Sequence, residues 1–118
     1  MIDDDAQLTP AGTLTTGGSV VVLAGTDTAR HWDLTLPLER RAGFPWPGLL
    51  HAPVLVEVIV DPGAYVERYG RTDKQATGLG VGVGAWDVPF WFVDGGAAVM
   101  SVLLAAESHG LGALFFGL

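Results

Sequence analysis

Three apolar runs, separated by segments rich in glycine and proline, define the pattern of the chain. Residues 19–24 (SVVVLA) and 53–60 (PVLVEVIV) are continuous runs rich in β-branched side chains. Such runs are typical of strands, and here Gly25 and the Asp-Pro-Gly of residues 61–63 bound them. The first run indicates a strand that is buried on both faces. Residues 113–116 (ALFF) form a third run of this kind. The pattern therefore predicts three strands.

Helical patterns lie between and after these strands. Residues 26–34 begin with Thr and Asp, which favour N-cap positions, and predict a short helix. Residues 64–69 predict one or two helical turns. The longest pattern covers residues 95–109, with Asp94 as its N-cap and Gly110 as a left-handed C-cap. Because this segment is apolar nearly all round, we predict a helix that is buried on most of its sides.

The remaining segments are predicted to be loops. Residues 1–18 are rich in Thr and Gly after an acidic start. Residues 35–50 contain three prolines and predict a long surface connection with one helical turn at residues 46–50. Residues 70–84 are polar and then glycine-rich, which predicts a mobile loop. Strands that alternate with helices over 118 residues indicate a single layered domain, of either the α/β or the α+β class.

The composition is apolar for a chain of this size. Hydrophobic residues make up 49% of the chain and charged residues only 16%. A small monomer with so few charges has too little polar surface to cover itself, so we expect a homo-oligomer or a surface covered by a cofactor. The net charge is −7, and no basic stripe follows the chain. Nucleic acid is therefore excluded as a partner.

The sequence predicts a soluble, cytoplasmic protein. Its first residues (MIDDD) are acidic, whereas a signal peptide begins with basic residues and continues with apolar ones. No apolar run in the sequence reaches the roughly 18 to 20 residues that a membrane-spanning helix needs. We therefore predict no association with a membrane.

Few side chains are candidates for catalysis or metal binding. The chain has no cysteine, which excludes disulfides, thiolate catalysis and cysteine-type zinc sites. His31 and His51 have no His, Asp or Glu at ligand spacing, so no metal site is predicted. His109 falls in the last turn of the long helix, where an imidazole suits the helix dipole better than it suits catalysis. No catalytic residue is assigned.

Aromatic side chains concentrate at the start of the long helix, at Trp86, Phe90, Trp91 and Phe92. These side chains suit either of two roles, a wall that faces a substrate or the packing of a core or an interface. We favour packing.

Residues 86–98 (WDVPFWFVDGGAA) and 103–117 (LLAAESHGLGALFFG) together resemble the FMN-dependent nitroreductase-like family. In that family an Asp-X-Gly-X-Ala start opens a central helix, which ends in Leu-Ala-Ala and then Gly-Leu-Gly. Residues 64–69 and 72–74, and the strand opened by residues 51–54, resemble an actinobacterial-type subgroup. The resemblance extends from about residue 9 to the C-terminus, and it rests on the order and spacing of motifs that are each weakly specific.

The resemblance implies an α+β fold of three layers, with a mixed sheet and a long buried central helix (about 94–109). Members are homodimers in which the central helices pack against each other and FMN lies at the subunit interface. They take electrons from NAD(P)H and pass them to a nitroaromatic or quinone-type acceptor in the same pocket. The flavin carries the redox chemistry, while the protein positions it.

The resemblance also implies which residues contact the flavin. The segment after the central helix would bring backbone N–H groups to the polar edge of the ring. The family's Pro-Ser-Ala-Gly-X-X-Gln-X-Trp loop falls on residues 10–18, where the Ser, Gln and Trp have no counterpart and two threonines are the nearest polar substitutes. The expected cofactor-binding residues are Pro10, Gly12, Thr15, Thr16, Gly110, Leu111 and Gly112.

The two ends depart from the family. Its arginine-rich phosphate-binding motif would precede residue 1, and a further basic contact would follow Leu118, so we expect a domain truncated at both ends. Each charge-assisted hydrogen bond to a phosphate contributes about 1.5–3 kcal/mol, and their loss predicts weak FMN binding. The alternative reading is a non-catalytic remnant that keeps the dimer core. A third is an unrelated α/β domain that binds a small ligand.

Overall fold

The computed structural model of the protein describes residues 18–117. These residues form an α+β arrangement of helices and a two-stranded antiparallel sheet. The strands are β1 (Gly18–Ala24) and β2 (Val54–Val60), and they pair with each other. The helices are α1 (Thr26–Thr35), α2 (Leu38–Arg41), α3 (Pro62–Tyr69) and α4 (Phe90–Ser108). Short 3-10 turns cover Pro47–His51, Gln75–Thr77, Leu79–Val81 and Val83–Ala85.

The first two predicted strands are confirmed to within one residue. The predicted burial of β1 on both faces is wrong, because exposed and less exposed positions alternate along much of this strand and Val22 is exposed. Val56 and Ile59 of β2 are also exposed. A continuous apolar run does not by itself reveal whether both faces of a strand are covered.

The predicted third strand is also wrong. Residues 111–117 follow α4 without forming a regular element. The apolar run over residues 113–116 is instead mostly exposed, and Phe116 alone contributes to a core, where its ring stacks on Trp32 at 5.7 Å between centroids. A short apolar run forms a strand only where a partner edge supplies backbone hydrogen bonds.

A capping side chain marks the start of α3 but not that of α1. The start of α1 has no side-chain cap, because Gly25 with φ of 59° holds the N-cap position and Thr26 and Asp27 lie inside the helix. α3 begins two residues before its predicted start. Asp61 caps it by accepting the backbone N–H of Gly63 at 2.8 Å, and Pro62 suits the first helical position.

α4 begins at Phe90, so the predicted N-cap at Asp94 is wrong. Pro89 holds the N-cap position, and its carbonyl accepts the N–H of Phe92 at 2.9 Å. The additional turn contains Trp91, which is buried. Burial of this indole outweighs the helix-breaking effect of Gly95 and its neighbouring glycine, about 1 kcal/mol each.

The end of α4 is confirmed. Gly110 adopts φ of 71°, and its N–H donates to the carbonyl of Glu107 at 2.9 Å. The N–H of Leu111 donates to the carbonyl of Ala106, also at 2.9 Å. These two bonds form a Schellman motif, which requires a left-handed residue and therefore favours glycine.

The predicted burial of α4 is not found among residues 18–117. Of its 19 residues only Trp91 and Gly95 are buried. An added Cβ at Gly95 would lie 2.8 Å from Cγ1 of Val60, so the absence of a side chain lets α4 approach β2 closely.

The prediction that no run is long enough to cross a membrane is corrected by the early start of α4. By length and composition alone, Phe90–Ser108 is long and apolar enough for a membrane span, and it is the one such helix among the described residues. The core helices of water-soluble proteins also meet this criterion.

The glycine-rich segment of residues 70–84 has defined structure. It contains three 3-10 turns, and Arg68 at the end of α3 forms two hydrogen bonds of 2.9 and 2.8 Å with the carboxylate of Asp73. These bonds hold the pKa of Asp73 below its ordinary value. The segment also touches α3, because an added Cβ at Gly80 would lie 2.5 Å from the nitrogen of Gly70.

Contacts divide the described residues into two units. Residues 18–20 and 58–115 form the first unit, and residues 21–57 with 116–117 form the second. Tyr65 and Trp91 are the buried hydrophobic side chains of the first unit. Trp32, Leu36 and Leu55 form the core of the second.

We expect Gly80→Ala to destabilise the first unit by about 1–3 kcal/mol, because the new methyl group would overlap the backbone of residues 69 and 70. Gly84→Ala is the matched control, since open space surrounds that position and the change should be neutral or slightly stabilising. Urea unfolding followed by circular dichroism measures both variants. Equal free energies of unfolding would contradict the close approach.

Candidate functional site

An aromatic cleft of about 210 Å³ lies in the first unit. It is lined by Tyr65, Tyr69, Trp86, Phe90 and Asp94. We refer to these five residues as the aromatic cleft.

Helical spacing explains why these side chains converge. Tyr65 and Tyr69 lie four residues apart on α3, and Phe90 and Asp94 lie four residues apart on α4. Residues at this spacing project from one face of a helix. Trp86 precedes α4 and lies between the two pairs, where its indole N–H donates to the carbonyl of Leu79 at 2.9 Å.

The rings of the cleft meet edge to face. The Trp86 ring lies 4.8 Å from Tyr69 with an interplanar angle of 77°, and 5.9 Å from Tyr65 with an angle of 85°. Phe90 meets Trp86 at 6.4 Å and 70°. Trp91 supports the cluster, with its ring 6.0 Å from Tyr65 and 5.8 Å from Trp86. These are the preferred geometries of aromatic pairs, so the cluster is well ordered by its own packing.

Asp94 supplies the negative charge of the cleft. The carboxylate is half-buried, and its Oδ2 accepts the hydroxyl of Tyr65 at 2.6 Å. On the neighbouring turn, Nζ of Lys74 lies 5.9 Å from the centre of the Tyr69 ring. A carboxylate beside aromatic faces attracts cations and repels anions.

The prediction of packing for the aromatic residues is confirmed for Trp91, which is buried, and for Trp86, which contacts four other rings. Trp86 and Phe90 also line the cleft, so packing and exposure to a ligand are combined at these two positions. Phe92 is 67% exposed. Sequence reasoning missed Tyr65 and Tyr69, although their spacing of four on a predicted helical segment was a usable signal.

A second polar cluster lies in the second unit. Nδ1 of His31 lies 2.6 Å from Oε1 of Glu57, a residue 26 positions further along the chain. Pairing of the strands brings Glu57 beside α1. Nε2 of His31 and Nε1 of Trp32 are buried without a hydrogen-bond partner among the described residues. Glu57 orients the His31 imidazole through Nδ1, and Nε2 is buried, so neither ring nitrogen is accessible to a ligand.

Metal ligands do not converge in the part of the chain that the structure describes. Between residues 18 and 117 there is no group of three or more His, Cys, Asp and Glu side chains placed to hold a metal ion. A second concavity, of about 250 Å³, is lined by Gly18, Ser19, Ile59 and Asp61. The Asp61 carboxylate is already engaged there in capping α3.

The predicted cofactor-binding residues fall into two groups. Pro10, Gly12, Thr15 and Thr16 lie outside the described residues. Gly110, Leu111 and Gly112 lie together directly after α4, and all three are exposed. Gly112 has open space where a side chain would be.

No family model matches the chain, and neither a curated protein nor a solved structure matches it.

We expect Tyr65→Phe and Asp94→Ala to be coupled by about 1 kcal/mol or more, because each removes one partner of a hydrogen bond to a charged group. A double-mutant cycle of unfolding free energies measures this coupling and cancels the other contacts of Tyr65. Tyr69→Phe paired with Asp94→Ala is the control, with an expected coupling near zero. The hydrogen bond would be disproved by equal coupling in the two cycles.

Proposed function

We propose that the protein is an FMN-dependent oxidoreductase of the nitroreductase-like family, a cytoplasmic homodimer that uses NAD(P)H to reduce nitroaromatic or quinone-type acceptors. The observation that supports the proposal most directly is the order of three structural features at the end of α4. A 19-residue apolar helix ends in a glycine Schellman motif, and an exposed Gly-Leu-Gly segment follows it. This is the order of features on which the family resemblance rests. The three-layer fold with a mixed sheet is part of the proposal.

The exposed face of α4 supports a homodimer. Val93, Ala97, Met100 and Leu104 follow one another at spacings of four, three and four, which places them on one side of the helix. The three large side chains are 55%, 54% and 63% exposed. An apolar stripe of this length has an unfavourable free energy in water, and the same stripe of a second copy would cover it. Ala97 lets two helix backbones approach closely.

The segment after α4 supports a flavin site at its backbone. When bound, FMN supplies the hydride chemistry, and negative charge grows on its pyrimidine edge as it is reduced. Backbone N–H groups around Gly112 are suited to stabilise that charge, because no side chain at this residue blocks the approach. No side-chain acid or base is needed for the hydride transfer itself.

The alternative is a non-catalytic protein that keeps the dimer core, and the distribution of positive charge favours it. Four of the six Lys and Arg side chains already face a carboxylate. The pairs are Arg30–Asp27, Arg41–Asp33, Arg68–Asp73 and Arg71–Glu67. A phosphate dianion would compete with these carboxylates in a chain of net charge −7.

The flavin proposal predicts saturable FMN binding at micromolar or tighter affinity. Binding is measured by the quenching of flavin fluorescence on titration and by yellow colour retained after desalting. Gly112→Val should weaken binding at least about tenfold, because its side chain would separate the backbone from the ring. Gly84→Val is the matched control, since it too lies in open space. A folded protein that binds no FMN would favour the non-catalytic alternative.

The dimer proposal predicts that Leu104→Glu shifts the protein to monomer, because it places a charge on the apolar stripe. Leu38→Glu, an equally drastic change at an exposed leucine of α2, should leave the dimer intact. Sedimentation velocity over a range of concentrations distinguishes the two states. A wild-type protein that is monomeric throughout, or that sediments with phosphatidylcholine vesicles, would contradict this role of α4.

A further inference from the structure

The aromatic cleft combines ring faces with a single carboxylate. Among its five lining residues only Asp94 carries a charge at neutral pH. The faces of Tyr and Trp rings attract cations through their quadrupole, and the carboxylate adds attraction of the same sign. The cleft therefore selects a positively charged ligand over an anionic one.

The size of the cleft limits its ligand. Its volume of about 210 Å³ is below the ~300–1,000 Å³ that is usual for sites of drug-sized ligands. A flavin is of that size and a nicotinamide dinucleotide is larger, so neither fits the cleft. The inference therefore goes beyond the proposed oxidoreductase and does not depend on it.

Two hydrogen-bond donors of the cleft already have acceptors. The Tyr65 hydroxyl donates to Asp94, and the Trp86 N–H donates to Leu79 outside the cleft. A quaternary ammonium group needs no hydrogen-bond acceptor, because it has no N–H, whereas a primary ammonium does. Nζ of Lys74 lies 5.9 Å from the centre of the Tyr69 ring, so a cation of the chain itself already lies near one of these rings.

We propose that the aromatic cleft binds a small organic cation with a quaternary ammonium group. The rings of Tyr69, Trp86 and Phe90 surround the methyl groups, and the Asp94 carboxylate balances the charge. Tyr65 acts as a positioning residue, because its hydroxyl holds the carboxylate in place.

The test compares choline with 3,3-dimethylbutan-1-ol, which has the same shape but carries no charge. Each is titrated into the full chain, and the methyl proton shifts of the ligand are followed by NMR, since ring currents shift protons that enter the cleft upfield. We expect saturable choline binding with a dissociation constant on the order of 1 mM and no saturation by the neutral alcohol. Equal binding of the two, or no saturation by choline up to about 50 mM, would overturn the proposal.

Variants locate the binding within the chain. Asp94→Asn and Phe90→Leu should each weaken choline binding about fivefold, through loss of the charge and of a ring face respectively. Phe92→Leu is the matched control, because it changes an exposed phenylalanine of the same helix that does not line the cleft. Circular dichroism confirms that each variant is folded. Equal affinities of Phe90→Leu and Phe92→Leu would place the binding elsewhere and overturn the assignment.

Discussion

The packing of Trp86 and Trp91 against α3 fixes the position of the start of α4, and most of the first unit depends on it. Only five hydrophobic side chains are buried in the part of the chain described here, and Trp91 and Tyr65 are two of them. Aromatic side chains bury about 150–250 Å² each, so a small cluster supplies much of the apolar burial of this unit. The same packing brings Asp94 to the hydroxyl of Tyr65 and so creates the cleft.

The sequence predicted the elements that depend on local residue preferences, but not the features that depend on contacts between distant residues. Both strands of the sheet follow from β-branched runs, and the end of α4 follows from its capping glycine. Asp94 was misplaced because its strong N-cap preference was outweighed by the burial of Trp91, which is a tertiary contact. The contact between His31 and Glu57 likewise could not be predicted from local sequence, because the two residues are 26 positions apart. Of the residues that line the cleft, the sequence indicated Trp86 and Phe90 as an aromatic group but not Tyr65 and Tyr69.

The two sides of α4 explain why composition alone was ambiguous. One side contains the buried Trp91 and Gly95 and is specified by contacts within the chain. The other contains the Val93–Leu104 stripe, which is apolar and exposed in the part of the chain that the structure describes. Both sides of α4 are apolar, so hydropathy does not distinguish the covered side from the exposed one. Such a helix is consistent with a core, an interface or a membrane until its contacts are known.

The close approach of Gly80 to Gly70 bears on the kinetics of folding. These residues are ten positions apart, so their contact closes a short loop, and loops of about ten residues close in roughly 10–100 ns. The β1–β2 pairing instead joins segments separated by two helices, and the entropy of loop closure delays such contacts. We therefore expect the contacts of α3 with the 3-10 turns to form early and the strand pairing to form afterwards.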